Sequence, residues 1–243
     1  MSERIQKILA QKGIASRRQI ESWIREGRIK VNGVLATIGQ QIKDHDKVQV
    51  NGRVIPLKTR QSYKIRVLAY YKPAGEVCTR KDEKGRKTVF SRLPRIKQGR
   101  WISIGRLDIS TTGLLLFSND GELVNRLTHP SSGIEREYAV RIMGEVDGDM
   151  LNRLRTGVKL DDGVARFTDI VKGEGKGANT WFYVVLKEGR NREVRRLWES
   201  QGVTVSRLIR VRFGSYILAK NKHQGEVWEL EQNEINQLQQ LTQ

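Results

Sequence analysis

The sequence predicts an α+β protein in two parts, a small helix-and-strand module over residues 1–60 and a larger, mainly antiparallel mixed-sheet domain over 61–243. Three observations predict this. Two short amphipathic helices near the N-terminus run directly into hairpin signals. The stretch Pro56–Lys64 is rich in charge and has no hydrophobic period, which marks a boundary. Beyond it, apolar strand-like runs outnumber helical ones and lack the regular strand–helix alternation of a doubly wound sheet.

In the first part, Ile5, Ile8 and Leu9 share a helical face, and Gly13 ends that helix. Ser16 caps a second helix, with Gln19 at the capping-box position. Ile20, Trp23 and Ile24 form its apolar stripe before Gly27 stops it, so the two helices face one another. Ile29 and Val31 then alternate with basic residues, and Asn32-Gly33 supplies the positive φ angles of a tight hairpin. VQVNGRVI repeats the device at Asn51-Gly52.

In the second part, RVLAYYKP opens as a buried strand, and KDEKGRKTVFSRLP reads as a charged loop and a short helix. WISIGRLD is a strand that ends abruptly. GLLLF is too short for a helix and is bounded by turn residues, which makes it a central strand. Asn119-Asp120-Gly121 is a turn, ELVNRLTHP an amphipathic helix up to Pro130, and IEREYAVRI an alternating strand. The glycine-rich GEGKGAN lacks the Lys-Ser/Thr ending of a phosphate loop and is read as a hairpin connection. WFYVVLKEG is a strand, RNREVRRLWESQG a helix closed by Gly202, VTVSRLIRVRFG a strand, and EINQLQQLTQ a weak terminal helix.

Charge narrows the partners. With 45 Lys and Arg against 27 Asp and Glu, the chain carries a formal +18, and such a field draws polyanions by releasing their counterions. Nucleic acid is the leading partner, since the basic residues are spread over the chain and not gathered in one tail. Arg17, Arg18, Arg25, Arg28 and Lys30 crowd onto the second helix and the strand after it, a face suited to phosphates. An anionic membrane surface is the alternative, but no helix is basic on one face and rich in exposed aromatics. No apolar run approaches the ~20 residues of a membrane span, and MSERIQKILAQKG lacks the apolar stretch of a secretory signal, so a cytoplasmic location is expected. The one cysteine, Cys78, excludes an intrachain disulfide framework, and His45, His129 and His223 have no ligand spacing, so no metal is expected. Cys78 is read as a small structural cysteine, with a catalytic thiol as the alternative.

The segment GRLDISTTGLLLF is the place where chemistry could sit. Asp108 follows a strand, two residues beyond Arg106, in a loop of Ser110, Thr111, Thr112 and Gly113 ahead of a buried strand. Catalytic groups are often held on such a braced loop. An Asp before Ser and Thr is also a common turn former, and from the residues alone both readings stay open. A metal-dependent nuclease using Asp108, Asp120 and Glu122 is a further alternative, provided these carboxylates cluster.

Two resemblances weigh on this choice. SRRQIESWIREGRIKVNG resembles the S4 RNA-binding domain, which implies docking on structured RNA by shape and phosphate contacts. GRLDISTTGLLLFSNDGELVNRLTHP, with REYAV and EGRNREVRRLWE in the same order, resembles the pseudouridine synthases that modify ribosomal RNA. Within that family YYKPAGEVCTR and EGRNREVRRLWE look most like the large-subunit members. The resemblance implies an S4-like domain over 1–60, a pseudouridine synthase catalytic domain over 61–243, and 23S ribosomal RNA as substrate, free or in a partly assembled subunit. A monomer is expected. The reaction detaches uracil from its ribose, turns it over and rejoins it through carbon in place of nitrogen, and it needs no cofactor. Asp108 would begin it, by attack on ribose or base or by removing a sugar proton. Arg195 would hold that carboxylate's charge. Arg192 and Arg196 are its rivals, Arg192 sharing a helical face with Arg195 and Arg196 pointing elsewhere. Tyr138 would stack on the displaced base, its alternative being a core strand tyrosine. Arg106 would fill the space that an extruded nucleotide leaves. With Arg17, Arg18, Arg28, Lys30 and Arg192 it makes up the expected RNA contacts. A 16S target, or a non-catalytic ribosome-assembly protein that binds RNA, are the alternatives.

Overall fold

A computed structural model describes residues 2–57, 64–96, 99–176 and 179–242. Most of the proposed boundary stretch Pro56–Lys64 therefore lies outside the described residues, as do Gly177 and Ala178 of GEGKGAN. The chain forms two compact units. The first comprises Met1–Ile65 with Pro94–Trp101 and Asn119–Gly121, and the second Arg66–Leu93, Ile102–Ser118 and Glu122–Gln243.

The first unit runs β1 (Glu3–Arg4), α1 (Ile5–Gln11), α2 (Arg17–Arg25), β2 (Ile29–Val31), β3 (Val34–Leu35), β4 (Gln41–Ile42), β5 (Val48–Val50) and β6 (Arg53–Ile55). Helix α2 begins where Ser16 accepts a hydrogen bond from the Gln19 amide, satisfying an otherwise orphaned N–H. The reciprocal half of the expected capping box, from the Gln19 side chain, is not made. Strands order as β3-β2-β5-β6, all antiparallel. Both Asn-Gly turns adopt the positive φ values expected of them, 52° and 86° at Asn32-Gly33 and 51° and 78° at Asn51-Gly52. Ile5, Leu9, Ile20, Ile24, Ile29 and Val48 close the core, and Trp23 is only partly covered.

The second unit runs β7 (Val67–Lys72), β8 (Ile102–Ile104), β9 (Thr112–Ser118), α3 (Gly121–Thr128), β10 (Arg136–Met143), α4 (Gly148–Thr156), β11 (Val158–Leu160), β12 (Gly163–Ala165), β13 (Asp169–Lys176), β14 (Asn179–Leu186), α5 (Glu193–Glu199), β15 (Thr204–Phe213), β16 (Tyr216–Ile217), β17 (Val227–Glu229) and α6 (Gln232–Gln240). Its nine-stranded sheet orders β13-β14-β10-β15-β9-β7-β17, with β16 beside β15 and β8 beside β9. Every described pairing in it is antiparallel except β9 with β15. The helix α5 lays Leu197 and Trp198 onto Phe167, Phe182 and Leu208, and the Trp198 ring sits 5.1 Å from Phe182 and 5.9 Å from Phe167.

Three sequence expectations change here. KDEKGRKTVFSRLP yields only one 3-10 turn, Val89–Arg92. Gly173 to Lys176 belong to β13 and not to a loop. The helix expected from Arg190 starts at Glu193, because Arg192 takes a left-handed φ of 49° and caps it.

The parallel seam fixes one glycine. Gly113 has φ +107°, and a Cβ there would run into the backbone of Arg210, its partner in register across β15. Gly113→Ala is expected to cost about 3 kcal/mol in urea unfolding, from left-handed strain plus overpacking. A loss below about 1 kcal/mol would show that the seam yields instead.

Candidate active site

Between β8 and β9 the chain passes through Leu107 and turns at Asp108–Thr111, where the Thr111 N–H donates to the Asp108 carbonyl at 3.0 Å. Each residue of this stretch is pinned through its backbone. The Leu107 N–H donates to the Cys78 sulfur at 3.4 Å, and the Leu107 carbonyl accepts from the Cys78 thiol at 3.3 Å. The Gly75 N–H donates to the Ile109 carbonyl at 2.8 Å. Arg195 reaches the Ser110 carbonyl at 3.4 Å and anchors its other nitrogen on Val205 at 2.9 Å.

Lys72 does most of this work. It is fully buried at the end of β7, and its ammonium donates to the carbonyls of Pro73 (2.9 Å), Asp108 (3.1 Å) and Thr111 (2.9 Å). These three shorter contacts match the three donors of an ammonium, and the Ile109 carbonyl lies further off at 3.5 Å. Burial lowers its pKa from the usual lysine value, opposed by the neighbouring Cys78, Glu76 and Asp108.

The carboxylate of Asp108, by contrast, has no partner among the described residues and lines a cleft of about 860 Å³. Arg106, Tyr138, Arg192, Arg136, Arg210 and Leu208 line it too, and the volume suits a nucleotide-sized ligand. Tyr138 stands on β10 opposite Val184 of β14 and Arg210 of β15, its ring half-buried against the core and its hydroxyl without a partner among the described residues. Arg106 is exposed at the cleft wall.

The structure separates the candidate arginines. Arg195 is buried at the root of the Asp108 turn, and it makes no ion pair with the carboxylate. Burial lowers its pKa first and Arg192 second, while Asp108 and Glu199 raise it, so Arg195 and Asp108 do feel one another. Arg192 and Arg195 do not share a helical face, as the sequence suggested, because α5 starts after Arg192. Arg192 is exposed and paired with Glu199 at 3.4 Å. Arg196 points away to Asp162 at 2.8 Å. In the first unit Arg17, Arg18, Arg25 and Lys30 are exposed, while Arg28 is bound to Glu26 and Asn51 and lies 4.8 Å over the Trp23 ring.

Sequence reasoning missed Lys72, Arg136 and Arg210. Arg136 donates to the carbonyls of Ile134 (2.7 Å) and Lys187 (2.9 Å), and buried Arg210 to that of Leu114 (2.7 Å). A signal existed for Lys72 and Arg210. Lys72 closes a strand that is buried except at Tyr71, and Arg210 alternates in phase with Leu208 on an inward strand face.

Burial raises the Cys78 pKa, against the lowering effects of the Leu107 hydrogen bond and of nearby cations. The thiol is therefore held protonated and serves as a packing and hydrogen-bonding group. Native protein at neutral pH is expected to react with iodoacetamide about tenfold more slowly than unfolded protein, read by mass spectrometry. Equal rates would return Cys78 to the list of chemical groups. Among the described residues no three His, Cys, Asp or Glu side chains gather as a metal would require, which leaves the nuclease reading without its carboxylate cluster.

Comparison with known proteins follows this geometry. Residues 66–200, more than half of the chain and including the Asp108 turn, Tyr138 and Arg195, match the family model described as RNA pseudouridylate synthase. The chain belongs to the RNA pseudouridylate synthase family. Residues 3–48 match the S4 domain, so an S4 domain precedes the pseudouridine synthase domain. The chain is 54% identical over 242 residues to ribosomal large subunit pseudouridine synthase B of Vibrio vulnificus, spanning 99% of this chain and 76% of that protein. It is 53% identical over 243 residues to the protein of the same name from Salmonella typhimurium, spanning 99% and 84%. A crystal structure of a pseudouridylate synthase superposes with a TM-score of 0.67 at 26% identity, over 97% of this chain and 99% of that one. As a pseudouridine synthase, the protein is an enzyme that isomerises uridine in RNA.

Proposed function

We propose that this chain converts a uridine of the large-subunit (23S) ribosomal RNA into pseudouridine, with Asp108 as the group that begins cleavage of the glycosidic bond. The observation that carries the assignment is the Asp108 turn itself. Its backbone is held at every residue while its carboxylate faces an open cleft without a partner. A group that must meet a reacting atom benefits from being fixed in position and left free in charge.

The other roles follow from where the side chains stand. Tyr138 presents a ring and a free hydroxyl to the same cleft, fit to stack on a displaced uracil and to pass the proton that leaves carbon on rejoining. Arg195 sets the electrostatic background of the turn from beneath, and Arg106, exposed on the wall, fills the space of the extruded nucleotide. Arg192 contacts the RNA at the rim. Residues 1–60 dock on the RNA through Arg17, Arg18, Arg28 and Lys30, and residues 61–243 carry the chemistry. The protein acts as a monomer in the cytoplasm. The large-subunit substrate is supported by relatives of that name that match 99% of the chain at 53–54% identity.

The test is to map pseudouridine after incubating the protein with unmodified 23S and 16S transcripts and with partly assembled large subunits. Conversion of one uridine in the 23S sequence, free or assembled, is the expected result. Conversion confined to 16S transcripts, or none in any substrate, would overturn the proposal.

A further inference from the structure

The segment Pro94–Trp101 sits, in sequence, between strands of the synthase domain, yet it packs with the first unit. Its approach is close. A Cβ on Gly13, which has φ +77°, would collide with the Gly99 carbonyl, and one on Gly99 would meet the Gln11 carbonyl at 3.4 Å. The buried Trp101 ring closes the segment on itself by donating to the Pro94 carbonyl at 2.7 Å. Gly99 is thereby set against the α1–α2 turn, just ahead of Arg17, and Arg100 follows it.

Arg100 is half-buried, and its Nε is shielded from water with no hydrogen-bond partner. Among the described residues neither Arg100 nor Arg17 has an ion pair or a side-chain hydrogen bond. Burial, then the charge of Arg17, lowers the Arg100 pKa, and Lys12 at the same turn is lowered by burial as well. Buried cations are ordinarily paired, and the shielded, unpartnered Nε of Arg100, on a residue next to the Gly99–Gly13 contact and repelled by the charge of Arg17, is unfavourable in the free protein. An anion with several acceptor oxygens would satisfy both arginines, and a phosphodiester offers two such oxygens to planar guanidinium donors.

We propose that Arg100, placed by the Gly99–Gly13 contact, completes an RNA-phosphate seat on the first unit, in which Arg100 and Arg17 grip one phosphodiester beside the turn into α2. The inference rests on the reading that this unit docks RNA. It adds a contact that lies outside the S4 domain in sequence.

The test compares wild type, Arg100→Gln, Arg17→Gln, the double variant and Lys159→Gln, an exposed control on β11 with the same charge change. Binding to a 23S transcript is measured over about 50–200 mM salt. Arg100→Gln is expected to weaken binding about fivefold and to flatten the slope of log affinity against log salt by up to about 0.9, while Lys159→Gln does neither. The double variant is expected to lose less than the product of the single losses, because both side chains hold the same phosphate. The melting temperature of Arg100→Gln should not fall, since the change removes an unpaired, partly buried charge. A merely structural Arg100 would lower it.

Affinity of Arg100→Gln equal to that of wild type or of the Lys159→Gln control would overturn the seat, as would independent losses in the double variant. Isomerisation of the same transcript is scored separately. If wild type converts no uridine while the affinities move as expected, the functional reading fails and the seat stands. If wild type converts its uridine and Arg100→Gln binds normally, the seat alone fails.

Discussion

Asp108→Asn is expected to abolish uridine isomerisation while leaving the fold and the affinity for RNA essentially unchanged. The amide keeps the size and shape of the carboxylate, and every contact that shapes the turn is made by the backbone, which the substitution does not touch. What disappears is the negative charge and with it the nucleophile or base. Loss of a group that touches the reacting atoms commonly costs about a thousandfold or more in kcat. Single-turnover conversion of the 23S substrate would give the rate, and urea unfolding the stability. A rate within about tenfold of wild type would remove Asp108 from the chemistry. A large loss of stability would show instead that the carboxylate holds structure, the turn-former reading that the sequence leaves open.

Lys72→Met is expected to lower both activity and stability, and the combination separates a positioning residue from a catalytic one. Methionine has about the same length and fits a buried site, but it donates nothing. The carbonyls of Pro73, Asp108 and Thr111 would lose their shared donor. At roughly 1–3 kcal/mol for each buried group left unsatisfied, partly recovered by relaxation, a net loss of about 4 kcal/mol is expected in urea unfolding. Relaxation of the turn by a fraction of an ångström moves the Asp108 carboxylate, and misplacement on that scale can cost about a hundredfold in rate. The loss should fall on kcat and leave KM nearly unchanged, because Lys72 lies beneath the turn and touches no substrate. Full activity in a destabilised variant would show that Lys72 supports the fold without aiming the carboxylate.

The order of the elements and most of the site were legible in the sequence. Asn-Gly pairs between alternating apolar residues specify their turns locally, because few residues tolerate φ above zero at both positions, and both hairpins formed as read. Ser16 likewise marked the start of α2, since a cap acts within three residues. GLLLF formed the central strand β9 because an uninterrupted apolar run of that length is fully covered only inside a sheet. The expected cleft residues Asp108, Arg106, Tyr138 and Arg192 were brought to one place, and Arg195 to the root of the turn beside it.

Less legible was the stretch around α4, β11 and β12, where MLNRLRTGVKLDDGVA mixes short signals and only packing against the core decides them. Arg192 shows the limit of helical periodicity. Counting from a motif assumes that the helix has already begun, and here a left-handed cap intervenes.

By itself, then, the sequence determined the local devices, which depend on neighbours a few positions apart, and the charge, which depends on composition, while the candidate site residues followed from the family resemblance. Only the tertiary structure decided which groups hold the Asp108 turn. Lys72 reaches Asp108 across 36 positions of sequence, Arg195 reaches Ser110 across 85, and Arg210 faces Leu114 across 96. Such contacts are set by sheet order and register, and above all by the parallel meeting of β9 with β15. No local pattern encodes that meeting, because it is selected by how the whole sheet buries its apolar faces.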